Sequence, residues 1–301
     1  MISILSSVFW AAALMVILQI PIAVAKPTMP ETIVYGTVYN IFHDEFATEK
    51  DFRERIDRDL ANIARHHFNT VMVMPLGQWE RRSRSADFAR TDYLVERIEN
   101  NSLKMIPILQ KSNHRAWMPM WMWLEMDGPK FRTGAGTLTH ESPNYHHPGV
   151  KQALENYMRL ITERYADSPA MLAYNVWNEP HFYSEDPLTV NAYHEWLRKK
   201  YSCLDSLNRV WGEDYGCWAQ ITPEIGGTWE SSMPEVDWEL FRHDNNGFLA
   251  RWTVQTIRKY DSIHPLMINP VDNYICGSGI SEWEVDNWRI AEESDIPAIS
   301  F

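Results

Sequence analysis

The sequence predicts an α/β protein built as a (β/α)8 TIM barrel. From Glu31 onward, short β-type runs alternate with amphipathic helical stretches, which is the pattern of βα units around a parallel sheet. The β-type runs are nearly continuous in apolar residues, as expected for strands that are covered on both faces. Six such runs are present, whereas a complete barrel has eight strands, so we expect about six βα units and a barrel that is incomplete in this chain.

Apolar spacing places the elements in order. In the first helical stretch, Phe52, Ile56, Leu60 and Ile63 recur every three or four residues and form one buried face. The predicted strands cover residues 32–38, 68–74, 103–109, 171–177, 266–269 and 296–301. The predicted helices cover residues 50–67, 93–100, 150–165, 188–201, 204–210, 238–261 and 283–292.

The N-terminal segment differs from the rest of the chain. Residues 2–22 form an apolar run, and Ala23-Val24-Ala25 follows it in the pattern of a signal-peptide cleavage site. We therefore expect residues 1–25 to be a signal peptide and the protein to be secreted or periplasmic, with an uncleaved membrane anchor as the alternative. Residues 31–301 show no interdomain linker and are expected to form one catalytic domain, incomplete at its C-terminal end.

Charge and composition narrow the function. The formal net charge of −12 argues against a nucleic-acid partner, because such binding depends on clustered Lys and Arg. Fourteen tryptophans suit a protein that stacks indole rings on sugars, although a large aromatic core is the alternative explanation. Three cysteines are too few for a disulfide framework; one Cys203–Cys217 bridge is favoured, with unpaired thiols as the alternative.

The segment 175–180, Asn-Val-Trp-Asn-Glu-Pro, ends the fourth predicted strand. The carboxyl ends of barrel strands carry the active site. A carboxyl group held there partly away from water, as Glu179 would be, can donate a proton to a departing sugar oxygen, and Asn178 can bind the sugar 2-hydroxyl. The alternative is that Asn178 caps the next helix and Glu179 is a solvated loop acid.

The order of segments and this Asn-Glu pair resemble the clan A glycoside hydrolases. The stretch 193–201 (YHEWLRKKY), the stretch 204–212 (LDSLNRVWG) and Trp218 are similar to a pattern in family 42 β-galactosidases. Residues 237–269 are also similar to that family, with an Asp and a Phe opening a long helix and an Arg-x-x-Asp-x-x-His-Pro segment before a strand that ends in Asn.

The resemblance implies roles for particular residues. Glu179 would be the catalytic acid/base, Asn178 the partner of the 2-hydroxyl, and Trp218 part of the wall around the sugar. The family's nucleophilic glutamate ends a seventh strand, so we expect the nucleophile beyond Phe301 and the chain alone to be inactive. No cofactor is implied, and three widely spaced cysteines do not support the zinc cluster of some family members.

Three more residues are expected to bind substrate through their positions. Trp177 and His181 adjoin the Asn-Glu pair, and Asn113 follows the third predicted strand.

Together these features predict a retaining exo-β-glycosidase, foremost a β-galactosidase, acting on a β-galactoside or a related oligosaccharide. The alternatives are another clan A glycosidase, of the endo-β-mannanase or cellulase type, and a non-catalytic carbohydrate-binding pseudo-enzyme. The sequence leaves a homo-oligomer open.

Overall fold

The computed structural model of the chain describes residues 33–41, 48–74, 76–79, 86–109, 131–132, 141–142, 145–146, 148–180, 185–224, 232–270 and 286–298. Six parallel strands form its centre. They are β1 (Gly36–Asn40), β2 (Thr70–Met74), β3 (Lys104–Pro107), β4 (Tyr174–Asn178), β5 (Leu266–Asn269) and β6 (Ile296–Pro297). Two short antiparallel pairs lie outside this set: residues 78–79 with 86–87, and residues 131–132 with 141–142.

Helices connect most of the strands. They are α1 (Glu49–Arg65), α2 (Ala89–Asn100), α3 (Pro148–Tyr165), α4 (Pro187–Tyr201), α5 (Leu204–Trp211), α6 (Met233–Arg258) and α7 (Asn287–Glu292). A 3₁₀ turn covers Trp218–Gln220. No helix in the described ranges is long and apolar enough to cross a membrane; residues 1–25 lie outside those ranges, and the signal peptide stays a prediction.

The strands lie side by side in chain order. Parallel pairing joins β1 to β2 and β2 to β3, and also β4 to β5 and β5 to β6. Two isolated parallel bridges, Met105 to Met171 and Ile108 to Asn175, connect the two groups. A sequential, all-parallel sheet with helical crossovers is the wall of a (β/α)8 barrel, so the predicted fold is confirmed for six of its strands.

The first strand begins later than predicted. Pairing with β2 starts at Gly36, whereas the apolar run starts at residue 32. The side chain of Asn69 bonds the preceding backbone instead, since its Oδ1 accepts from the Tyr35 amide at 2.8 Å and its Nδ2 donates to the Ile33 carbonyl at 2.7 Å. The Asn69 side chain therefore bonds the backbone at residues 33 and 35, and regular pairing with β2 begins at Gly36.

The helix α6 begins five residues before the predicted position 238. Ser232 and Glu235 form a reciprocal capping box: the Ser232 side chain accepts from the Glu235 amide at 3.3 Å, and the Glu235 carboxylate accepts from the Ser232 amide at 2.7 Å. The Ser-x-x-Glu spacing is a start signal readable in the sequence. Apolar periodicity alone missed it because a capping box is formed by polar side chains and the backbone.

The two largest hydrophobic clusters among the described residues organise the packing. The larger one fills the layer between the sheet and the helices, and includes Phe52, Ile56 and Leu60 on the predicted face of α1. The second, which we call the helical cluster, joins α4, α5 and α6 beyond the sheet. Its buried members are Tyr193, Leu197, Leu207, Trp211, Ile221, Trp238 and Phe241.

A buried carboxylate ties the helical cluster together. Asp237 is fully buried and pairs with the Lys200 ammonium group. It also accepts hydrogen bonds from the Tyr201 hydroxyl at 2.6 Å and from the Trp211 indole at 3.0 Å. The segments of α4, α5 and α6 that resemble the family pattern thus meet at one buried carboxylate. A buried charge is stable only when it is paired in this way.

A second carboxylate, Asp261, fixes the turn between α6 and β5. Its oxygens accept from the backbone amides of Ile263 at 2.8 Å and His264 at 3.0 Å, from the His264 ring at 2.7 Å and from the Tyr174 hydroxyl at 3.1 Å. Arg258 completes the turn by donating to the His264 carbonyl at 2.8 Å. The Arg-x-x-Asp-x-x-His-Pro segment therefore sets where β5 starts and fastens it to β4.

The favoured Cys203–Cys217 bridge is wrong, because both residues are exposed free thiols. The Asn208 side chain fastens this loop instead: it donates to the Tyr215 carbonyl at 2.9 Å and accepts from the Tyr215 amide at 3.1 Å. These two hydrogen bonds of the Asn208 side chain close the loop in place of a disulfide. The alternative of unpaired thiols holds for these two residues; Cys276 lies outside the described ranges.

The Asp261 turn predicts a pH-dependent stability difference between the natural protein and Asp261→Asn. Burial alone would raise the pKa of Asp261, but the bonds from His264 and from the backbone amides outweigh it and hold that pKa below its usual value. A lowered pKa stabilises the fold above the unfolded value of about 4, and the contribution fades as the pH falls below that value. Asp261→Asn should cost about 2 kcal/mol in the free energy of unfolding at pH 7.

Unfolding curves in denaturant, recorded from pH 7 to pH 3, would measure this difference. Asp214→Asn, at an exposed position, is the control. The gap between the natural protein and Asp261→Asn should narrow below about pH 4. A gap that stays constant with pH would show that the contacts of Asp261 do not depend on its charge.

Candidate active site

The end of β4 contains an irregularity that determines where its side chains point. Tyr174 and Asn175 pair in order with Leu266 and Met267 of β5. Ile268, the next residue of β5, pairs with Trp177. Val176 is therefore an extra residue that has no partner on β5. Such a bulge shifts the alternation of the strand by one position.

The shift turns Asn178 to the same side of the sheet as Asn175. Regular alternation from Asn175 would have placed Trp177 on that side. Instead Trp177, like its partner Ile268, lies in the large cluster between sheet and helices, whereas Met267, the partner of Asn175, lies in a separate small cluster with Ile106 and Ala173. The amide of Asn178 is thereby presented on the barrel's inner side.

Two amide groups hold the side chain of Asn178. Its Oδ1 accepts from Asn175 Nδ2 at 3.1 Å and from Asn269 Nδ2 at 3.1 Å. Asn178 is buried, with 6% of its surface exposed, and Asn175 has none exposed. With its oxygen occupied twice, the amide nitrogen is the group of Asn178 that can serve a further partner.

Glu179 occupies a strained backbone conformation. Its φ is +51°, in the left-handed region that a residue with a side chain rarely adopts. Its amide donates to the Asn269 carbonyl at 2.7 Å, which extends the pairing of β4 with β5 by one residue. The side chain is only partly exposed and the buried Pro180 follows, so the chain turns sharply at the carboxylate. Strain of this kind clusters at functional positions.

The structure buries the indole of Trp177, and its predicted contact with substrate stays a prediction. The residue has no exposed surface and lies 5.5 Å from the Tyr145 ring, centroid to centroid. The cause is the bulge at Val176, which faces the indole toward the helices. The observed contacts of Trp177 are those of a core residue.

Trp218 lies in the 3₁₀ turn and packs against the helical cluster. One face of its ring lies 5.3 Å from the Arg198 guanidinium. At least part of the indole therefore stabilises the packing of α4, and its contact with a sugar stays a prediction.

The other predicted binding residues, His181 and Asn113, lie outside the described ranges, and their roles stay predictions. Sequence reasoning missed the contributions of Asn175 and Asn269 to the site. Both were readable as strand residues, and a signal was present for Asn175, because an amide inside a run of apolar strand residues must find a partner when it is buried. Among the described residues, no three His, Cys, Asp or Glu side chains are grouped to hold a metal ion.

The parallel barrel wall, with an Asn-Glu pair at the carboxyl end of β4, defines the class of clan A glycoside hydrolase folds. The family model Glyco_hydro_42, described as Beta-galactosidase, matches residues 45–300. This chain belongs to that family.

Individual relatives agree with the family. The chain is 26% identical over 206 residues to β-galactosidase BglY of Alicyclobacillus acidocaldarius, covering 65% of this chain and 29% of that protein. It is 23% identical over 293 residues to β-galactosidase LacZ of Heyndrickxia coagulans, covering 90% and 42%. The chain therefore spans less than half the length of either relative.

Solved structures share the fold at lower identity. A β-galactosidase from the Antarctic haloarchaeon Halorubrum lacusprofundi superposes with a TM-score of 0.71 at 18% identity, covering 89% of this chain and 40% of that one. The catalytic domain of a β-amylase from Paenibacillus polymyxa superposes with a TM-score of 0.67 at 14% identity, covering 86% and 73%. Both comparisons establish the barrel and nothing finer.

The conformation of Glu179 predicts an unusual order of stability. Glycine adopts positive φ freely, whereas a side chain there costs roughly 1–2 kcal/mol. Because glycine also makes the unfolded chain more flexible, the net advantage of Glu179→Gly over Glu179→Ala should be about 1 kcal/mol. Chemical denaturation of the two variants would measure it.

Two control positions bracket this experiment. Ser202, exposed and with a φ of +65°, should give the same order for glycine and alanine. Lys259, with a φ of −67°, should give the reverse order. If Glu179→Gly were the less stable variant while both controls behaved as stated, Glu179 would not be strained in solution.

Proposed function

We propose that this chain supplies the acid/base half of the active site of a retaining exo-β-glycosidase, a β-galactosidase. Glu179 protonates the departing sugar oxygen in the first step and then activates water in the second. Asn178 donates a hydrogen bond to the 2-hydroxyl, a contact that strengthens in the transition state. Membership of the family and the names of both relatives support this choice of reaction and sugar.

One observation carries the proposal: the bulge in β4 places an amide on the inner face of the wall immediately before a carboxylate in a strained turn. This left-handed turn lies at the carboxyl end of β4, the edge where barrel enzymes bind substrate. A solvated loop acid would need neither the left-handed backbone nor the amide pair that holds Asn178.

The reaction also needs a nucleophile. In a retaining enzyme a second carboxylate lies about 5–5.5 Å from the acid/base and forms the glycosyl-enzyme intermediate. We propose that this group ends a seventh strand, which is not among the six strands described. The mechanism requires no cofactor, and we propose export for the protein from the pattern of residues 1–25.

The acid/base role predicts a loss that depends on the leaving group. In the full-length natural protein, Glu179→Gln should lower turnover of alkyl β-galactosides by roughly 10²–10⁴, the usual effect of removing such a group. Aryl galactosides with acidic leaving groups need less protonation, so their first step should be affected less. Steady-state and pre-steady-state kinetics on both substrates would measure the difference.

A chemical rescue sharpens the assignment. Azide added to Glu179→Ala should restore turnover and yield a β-galactosyl azide, because azide can attack the intermediate without a general base. Glu224→Gln is the matched control: it removes an exposed carboxylate that follows the same strand along the chain, and it should leave both rates unchanged. Equal losses on both substrate types, together with no azide product, would refute the role of Glu179.

The products distinguish this function from its rivals. An exo-acting β-galactosidase releases free galactose from a galactan oligosaccharide, whereas an endo-acting enzyme of the mannanase or cellulase type releases shorter oligomers from its own polymer. A pseudo-enzyme would bind sugar and release nothing. Chromatography of the products over time would separate the three, and oligomers as the first products would contradict the proposal.

A further inference from the structure

A buried amide next to the Asn-Glu pair has no role in the chemistry proposed above. Asn175 lies on β4 with none of its surface exposed, so it cannot touch a sugar. Its Nδ2 donates to Asn178 Oδ1 at 3.1 Å. Its Oδ1 is buried and, within the described part of the chain, has no hydrogen-bond partner. A buried acceptor without a partner lowers stability, so selection for stability alone would favour an apolar residue here.

The direction of this hydrogen bond matters, because an amide side chain can be turned over with little change of shape. In the observed arrangement two donors meet at the Asn178 oxygen, one from Asn175 and one from Asn269. The reversed arrangement would point the Asn178 nitrogen at two carbonyl oxygens and offer the sugar an oxygen instead. The observed arrangement offers the ligand a hydrogen-bond donor, whereas the reversed arrangement offers it an acceptor.

Met72 favours the observed direction. Its thioether sulfur lies 3.6 Å from Asn175 Nδ2, within range of a weak N–H···S hydrogen bond. An amide oxygen at that place would gain no such bond, since the sulfur has no hydrogen to donate. Met72, on β2, thus helps to orient the amide on β4 across the inner side of the sheet.

We propose that Asn175 is a positioning residue that fixes the orientation of the Asn178 amide, so that Asn178 Nδ2 faces the 2-hydroxyl of the bound sugar. This inference rests on the proposed function and names a residue that acts on the reaction only through Asn178. It explains why β4 contains a buried amide whose oxygen has no hydrogen-bond partner among the described residues: Asn175 contributes orientation and not stability.

The test compares Asn175→Leu with the natural full-length protein on an aryl β-galactoside and its 2-deoxy analogue. Leucine has the same number of side-chain heavy atoms with the same branching, and it removes the donor. The ratio of kcat/KM for the two substrates should fall by roughly tenfold, since one of the two bonds that orient Asn178 is gone. The melting temperature should stay the same or rise, because the unpaired buried oxygen is removed as well.

Two further variants complete the experiment. In a background of Asn178→Ala, adding Asn175→Leu should leave the ratio unchanged, as expected for two residues that act in series. Met267→Leu, which changes the neighbour that pairs with Asn175 in the sheet, is the packing control and should not alter the ratio.

Three outcomes would overturn the inference. If Asn175→Leu lowers kcat/KM equally for both substrates and lowers the melting temperature, Asn175 is structural. If the ratio falls further in the Asn178→Ala background, Asn175 acts by another route. A natural protein that cleaves neither galactoside refutes the proposed function and this inference with it, and the wild-type measurement alone identifies that case.

Discussion

The pairing of β4 with β5 is the constraint on which the rest of the site depends. Its single extra residue, Val176, shifts the alternation so that Asn178 joins Asn175 on the inner face and Trp177 packs outward. The same pairing continues to the Glu179 amide, which donates to the Asn269 carbonyl at 2.7 Å. One strand register therefore sets both the turn at Glu179 and the hydrogen bonds from Asn175 and Asn269 to Asn178.

Two buried carboxylates outside the site support that register. Asp261 fastens the start of β5 to β4 through the Tyr174 hydroxyl, and Asp237 joins α4, α5 and α6 into the helical cluster. Both belong to the segments that resemble the family most clearly. Their contacts give those segments a structural role in this chain, because a buried carboxylate is stable only with its partners in place.

The site combines stabilising and destabilising elements. The left-handed backbone at Glu179 costs stability, and so does the oxygen of Asn175, which has no hydrogen-bond partner in the described part of the chain. Features that weaken a fold yet persist at one edge of a barrel are expected where orientation of chemical groups is selected over stability.

The six strands, most helix boundaries and the place of the Asn-Glu pair could be predicted from the sequence, because apolar periodicity and turn residues act locally. The fifth predicted strand, residues 266–269, has the same bounds as β5 in the structure. Tertiary structure alone decided the bulge, the outward turn of Trp177, the free thiols of Cys203 and Cys217 and the three converging amides. These depend on which residue faces which across strands about 90 positions apart, and no local pattern in the chain encodes that register.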